Sequence, residues 1–134
     1  MNYEIRERDE QFYVVRDEQE NLRARTKTFA LRIIRLYCAM PKRPEMQVLG
    51  KQVLRSGTSV GANYREAFRA RSDGEFIAKM GDCLKELEET AYWLELLSES
   101  GLMSSDRLAP LREENSQLIA IFVTIIRRKK ENQS

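Results

Sequence analysis

The chain has 134 residues, with 23 Lys and Arg against 21 Asp and Glu, two cysteines and no histidine. That length supports one hydrophobic core and not two. Without histidine there is no Ser–His or Cys–His nucleophile pair, no His-ligated zinc and no neutral-pH imidazole shuttle. Two thiols, in turn, cannot complete an all-cysteine zinc site. The expectation is a protein with no catalytic residues, no metal and no cofactor.

The small net charge hides an asymmetry. Residues 1–20 hold three arginines and seven carboxylates, net −4, so the remaining 114 residues carry 20 cations against 14 carboxylates, net +6. This stretch reads as an acidic N-terminal arm around a short apolar cluster, Phe12 to Val15, with no helix assigned to it. Its first residues are too charged for a signal peptide, and no apolar run approaches the roughly 18 residues of a membrane span. Cys38 and Cys83 are far apart in helical patterns and read as buried, reduced thiols. A soluble cytoplasmic protein with no membrane partner is expected, and residues 21–134 form the domain.

From about residue 21 the apolar positions Leu22, Phe29, Ile33, Leu36, Tyr37 and Met40 recur at helical spacing until Pro41, predicting a first helix over 21–40. Pro44, suited to a first helical position, and Glu45, at the positive end of the helix dipole, open a second helix over 45–70. Its core stripe is Met46, Leu49, Val53, Val60, Tyr64, Ala67 and Phe68. Gly57 and Gly61 lie on or beside that stripe. A helical glycine costs roughly 0.5–1 kcal/mol against alanine, so both read as points of close helix approach or interface contact. The glycines do not make a phosphate loop, because no strand precedes them and no Gly-Lys-Ser/Thr follows.

The opposite side of the second helix aligns Lys51, Arg55, Arg65 and Arg69 with Thr58 and Ala62, four cations and no acid within about 80° of arc. This is either a solvated or internally paired face, or a row of sequence-independent phosphate contacts. A ribbon of Gln52, Ser56, Ser59, Asn63 and Glu66 flanks it, with Asn63 a candidate for fixing helix register. Ser72 and Glu75 form a capping box that starts a third helix over 73–100, ended by Gly101. Asp82, Glu86 and Glu89 align with Trp93 on that helix. The carboxylates suit pairing with the arginines of the second helix better than metal binding, since di-iron bundles use Glu-x-x-His ligands. Trp93 stands off the leucine stripe, as a subunit-interface anchor or a ring covered by the N-terminal arm. A fourth helix over 106–130 has Leu111, Leu118, Ile119, Phe122, Ile125 and Ile126 as its core. It ends in Arg127, Arg128, Lys129 and Lys130, which complement the helix dipole or extend a nucleic-acid-binding surface.

Four amphipathic helices with short connections predict an all-α, antiparallel up-down-up-down four-helix bundle. The runs Arg55-Ser-Gly-Thr-Ser-Val-Gly-Ala-Asn63, Glu66-Ala67, Ser72, Phe76 and Lys85-Glu-Leu-Glu-Glu-Thr-Ala-Tyr-Trp-Leu94 resemble the 23S rRNA-intervening sequence protein family from about residue 21 onward. More distantly, the chain is similar to the accessory protein of diversity-generating retroelements. The resemblance implies a homopentamer whose molecular role is not established, and the distant relative implies binding to nucleic acid and a reverse transcriptase. Many relatives carry Asn-Ile-Ala-Glu-Gly where this chain has Asn63-Tyr-Arg-Glu-Ala67, a departure that adds Arg65. Two functions follow as expectations. One is a non-enzymatic oligomeric module that binds RNA, DNA or a ribonucleoprotein through its basic helix face. The other is a structural scaffold, or an accessory subunit of a reverse transcriptase, in which the basic stripe meets acidic helix faces.

Overall fold

A computed structural model describes the backbone of residues 7–133 and the side chains of residues 21–133. The described chain consists of four α-helices, α1 (Glu7–Cys38), α2 (Pro44–Phe68), α3 (Asp73–Glu99) and α4 (Ser105–Gln133), with no strand. Each helix packs on its sequence neighbours, and α1 meets α4 to close the ring, while the backbones of the diagonal pairs stay more than 8 Å apart and meet only through core side chains. This is an up-down-up-down four-helix bundle. No helix among the described residues is long and apolar enough to cross a membrane.

The helix boundaries follow from local chemistry. Pro44 opens α2 after an extended Arg43, with Glu45 in the first turn. Ser72 caps α3 by accepting a hydrogen bond from the Glu75 N–H at 3.1 Å. The reciprocal half of the expected box differs, because the Glu75 carboxylate accepts instead from the Arg71 N–H at 3.4 Å. Gly101 takes φ of 76° just beyond α3, a left-handed conformation that favours glycine. Ser104 caps α4 by accepting from the Arg107 N–H at 3.4 Å. Pro110 therefore sits beyond the first turn, and its missing N–H falls at an exposed position.

One expectation needs correction. Residues 7–20, read as an arm without helix, are helical backbone continuous with the rest of α1. The signal was present in the spacing of Phe12, Val15, Leu22 and Phe29, at three, seven and seven residues, which extends the core stripe upstream. Strong helix formers such as Glu and Arg carry the charge there without opposing the helix. Residues 1–6 of that arm lie outside the described residues.

The core draws on every helix. Leu22, Phe29 and Ile33 of α1, Val53, Val60 and Tyr64 of α2, Met80, Leu87 and Leu94 of α3, and Leu108, Leu118 and Phe122 of α4 are all buried. Tyr64 and Phe122 meet edge to face across the centre, with ring centroids 5.8 Å apart. Phe68, expected in the core, is instead 45% exposed at the last residue of α2, where its ring stands against the edge of Tyr64.

The α1–α2 contact sets the register of the bundle. A Cβ added at Gly57 would stand 2.7 Å from Ile33 Cγ1, and one at Gly50 would stand 2.8 Å from the Met40 sulfur. At Gly61 the nearest atom would be Thr26 Oγ1 at 3.3 Å. Thr26, Ile33 and Met40 thus face Gly61, Gly57 and Gly50 in antiparallel order. Thr26 is itself satisfied, donating to the Leu22 carbonyl at 2.7 Å.

Candidate nucleic-acid interface

The four cations aligned on α2 do not share one environment. Arg55 reaches across to α3, where its guanidinium donates to Glu89 at 2.5 Å and to Glu86 at 3.2 Å. The hydrogen bond to Glu89 raises the Arg55 pKa above its already high ordinary value, with the two carboxylate charges adding to it. Lys51, Arg65 and Arg69 are exposed and form no ion pair among the described residues. The pairing expected between α2 and the acids of α3 therefore occurs at Arg55 alone. Asp82 takes no part in it, and Glu66 of α2 instead receives Lys79 of α3 at 2.8 Å. That contact raises the Lys79 pKa, chiefly through its hydrogen bond.

Register places two further cations beside the stripe. On α2, Ser56 turns toward α3 and Arg65 lies round the helix on the other side of Gly61. On α1, Arg25 turns toward α4, donating to Glu114 at 2.5 Å and 3.2 Å, and Arg23 and Lys27 lie on the other side of Thr26. Since Thr26 faces Gly61, Arg23, Lys27, Arg65 and Arg69 border one outer groove between α1 and α2, with Lys51 further along it. Arg23 and Lys27 are exposed and also without an ion pair among the described residues. From Lys51 to Arg69 the α2 edge of this groove extends roughly 27 Å at the helical rise of about 1.5 Å per residue. Sequence phasing within one helix missed the α1 cations, although their four-residue spacing off the Leu22–Phe29 stripe was legible.

The C-terminal cluster is partly engaged. Lys129 binds Asp73 at 3.1 Å and stands 5.5 Å from the centroid of the Phe76 ring, tying the end of α4 to the start of α3. Arg127 makes a loose 3.9 Å contact with Glu131 one turn on. Arg128 and Lys130 are exposed. The Lys129–Asp73 contact puts this cluster at the end of the bundle where α2 finishes at Phe68, the same end as Arg65 and Arg69.

The polar flank of α2 also divides. Ser56 is fully buried, its hydroxyl 2.7 Å from that of Thr90 on α3, so it belongs to the helix interface. Asn63 is half-buried and makes no side-chain hydrogen bond among the described residues. Trp93 is half-buried against the core beside Tyr92, ring centroids 5.1 Å apart, and its Nε1–H is covered without an acceptor among the described residues. Of the two thiols expected to be buried, only Cys83 is. Cys38, at the last residue of α1, is exposed. Burial pushes the Cys83 thiol up to about 12, with the neighbouring Asp82 charge adding to the effect.

The profile of the 23S rRNA-intervening sequence protein family matches residues 18–124, most of the chain. The chain belongs to that family. The matched region contains the α1–α2 groove and the α3 acids, and it stops short of Arg127–Lys130. A crystal structure of a Bacteroides thetaiotaomicron protein of unknown function, from the S23 ribosomal protein family, is 35% identical. It superposes with a TM-score of 0.77, covering 82% of this chain and 98% of that one. No curated protein matches the sequence. The intervening-sequence family thus accounts for the four-helix architecture and leaves the chemistry of the groove to be argued from its residues.

Proposed function

We propose that this intervening-sequence family member is a non-enzymatic, self-associating bundle that binds RNA, alone or within a ribonucleoprotein, through the cationic groove between α1 and α2. The observation that carries the reading is the contrast within one stripe. Arg55 is neutralised by Glu86 and Glu89, whereas Lys51, Arg65 and Arg69 stand exposed and without an ion pair among the described residues, beside Arg23 and Lys27. A row of unpaired, solvated cations repels itself, and phosphates relieve that repulsion while releasing counterions. The family resemblance supports self-association, with five copies as the expected number. The groove is an open surface, which suits backbone recognition without base readout.

Fluorescence anisotropy with a labelled RNA hairpin tests this reading. Four phosphate contacts predict a log–log salt slope near −3 to −4, so affinity falls about 50- to 150-fold between 50 and 200 mM salt. The double substitution Arg65→Glu and Arg69→Glu is expected to abolish binding with helical content unchanged. Binding that survives it removes the groove as the site. The scaffold reading has the Arg55 contact with Glu86 and Glu89 in its favour and predicts no RNA binding by the wild-type chain.

A further inference from the structure

Six large apolar side chains stay exposed among the described residues, and three of them, Leu31, Ile34 and Tyr92, mark faces at diagonal corners of the bundle. On α1, Leu31 is 42% and Ile34 is 41% exposed. Leu31 is followed one turn on by the exposed cation Arg35. On α3, Tyr92 is 53% exposed beside half-buried Trp93, with half-buried Leu96 one turn on, and on α2 Val48 is 65% exposed. Tyr92 is flanked one turn away on either side by the exposed carboxylates Glu88 and Glu95. None of Arg35, Glu88 and Glu95 has an ion pair among the described residues. One patch is an apolar centre with a cationic rim, and the other is an aromatic centre with an anionic rim.

The two patches cannot meet within one chain, because α1 and α3 stand at diagonal corners of the bundle and both patches are exposed to solvent. They do lie at one level along it. Ile33 faces Gly57, and Arg55 pairs with Glu89, so residues 31–35 of α1 and 88–95 of α3 occupy the same stretch of the bundle axis. We infer that these faces dock on each other between copies of this chain, the α1 face of one copy against the α2–α3 face of the next. Such a contact is heterologous, and repetition by rotation about an axis parallel to the bundles closes it into a ring. Aromatic and aliphatic anchors supply the buried area, while the opposite-sign rims set orientation and exclude a face from pairing with itself. This inference deepens the self-association named above and rests on it.

Charge reversal tests the docking directly, read by multi-angle light scattering with circular dichroism as the check on folding. The wild-type chain is expected at a multiple of 15.7 kDa. Arg35→Glu alone, and Glu88→Lys with Glu95→Lys, are each expected to lower the mass to that of a monomer while helicity stays constant. Mixing the two variants is expected to raise the mass above that of a monomer, in assemblies where the two alternate, because each reversed face meets the complementary one on the other chain. Tyr92→Ser keeps every charge and is expected to weaken association as well. A wild-type oligomer whose mass is unaffected by either charge variant, or variants that stay monomeric when mixed, overturns this interface and leaves self-association standing. A wild-type monomer at 100 μM overturns both.

Discussion

Gly57 and Gly81 are both helical glycines, and the structure assigns them opposite roles. At Gly57 a methyl group meets Ile33, which is fully buried and has no room to retreat. Gly57→Ala is therefore expected to be destabilising, since overpacking of about 1–3 kcal/mol outweighs a helix-propensity gain of about 1 kcal/mol. At Gly81 a Cβ meets nothing within 4 Å, so Gly81→Ala should stabilise by about 0.5–1 kcal/mol. Urea denaturation midpoints of the two variants check both signs. The cysteines differ in the same local way. Cys38 should react with a maleimide at pH 8 and Cys83 should not, giving one labelled thiol per native chain and two after unfolding, as counted by mass spectrometry. Because the Cys83 pKa is raised from 9.0 to about 12, folding favours its neutral form. That contribution is complete below pH 9 and is lost as the pH rises toward 12. Cys83→Ala should accordingly flatten the alkaline limb of a stability–pH curve measured by chemical denaturation.

Among the elements, α2 carries the most opposed demands. One side gives up side chains at Gly50, Gly57 and Gly61 to admit α1, and another buries the Ser56 hydroxyl against Thr90. The outer edge keeps cations in water. Arg55 is half exposed, so its bridges to Glu86 and Glu89 are worth under about 1 kcal/mol to stability, and their larger effect is on the charge that α2 presents. Glu86→Gln with Glu89→Gln should release Arg55 to a bound polyanion, steepening the salt slope of RNA binding by about 0.7–0.9, the increment of one more phosphate contact. Anisotropy titrations at four salt concentrations measure that change. An unchanged slope would mean that Arg55 lies off the bound path. The helix limits and the glycine face of α2 were legible in its sequence, because Pro44, Ser72 and the 3.6-residue period act locally. The burial of Ser56 was not, since a small hydroxyl residue at the edge of a stripe is compatible with water or with a neighbour.

For the whole molecule, charge is partitioned by position in the bundle. Residues 21–38 of α1 contain Arg23, Arg25, Lys27, Arg32 and Arg35 and no acid, while α3 is dominated by carboxylates. This segment and α3 sit on opposite corners of the bundle, so their opposite charges do not pair with each other inside one chain. Only Arg25 of those five cations has an ion-pair partner among the described residues, Glu114 of α4, at a seam where α1 and α4 approach sparsely. Arg25→Ala should lower stability by about 1 kcal/mol or less, given its partial exposure, and speed amide exchange along the described part of α1 more than in α2 or α3. Hydrogen-exchange mass spectrometry would detect this. Uniform acceleration across all four helices would show that the seam has no separate role.

The amino-acid sequence by itself determined the four helices, the membership of one family and the exclusion of histidine-based chemistry. These depend on residue identity and on periods of three and four, which a linear reading preserves. Only the tertiary structure decided that Arg55 is spent on Glu86 and Glu89, that Arg23 and Lys27 join Arg65 and Arg69 at one groove, and that Cys38 is exposed. Those facts depend on which helix face meets which, and at what register. The register comes from the close fit of Ile33 against Gly57, a contact between residues far apart in the chain.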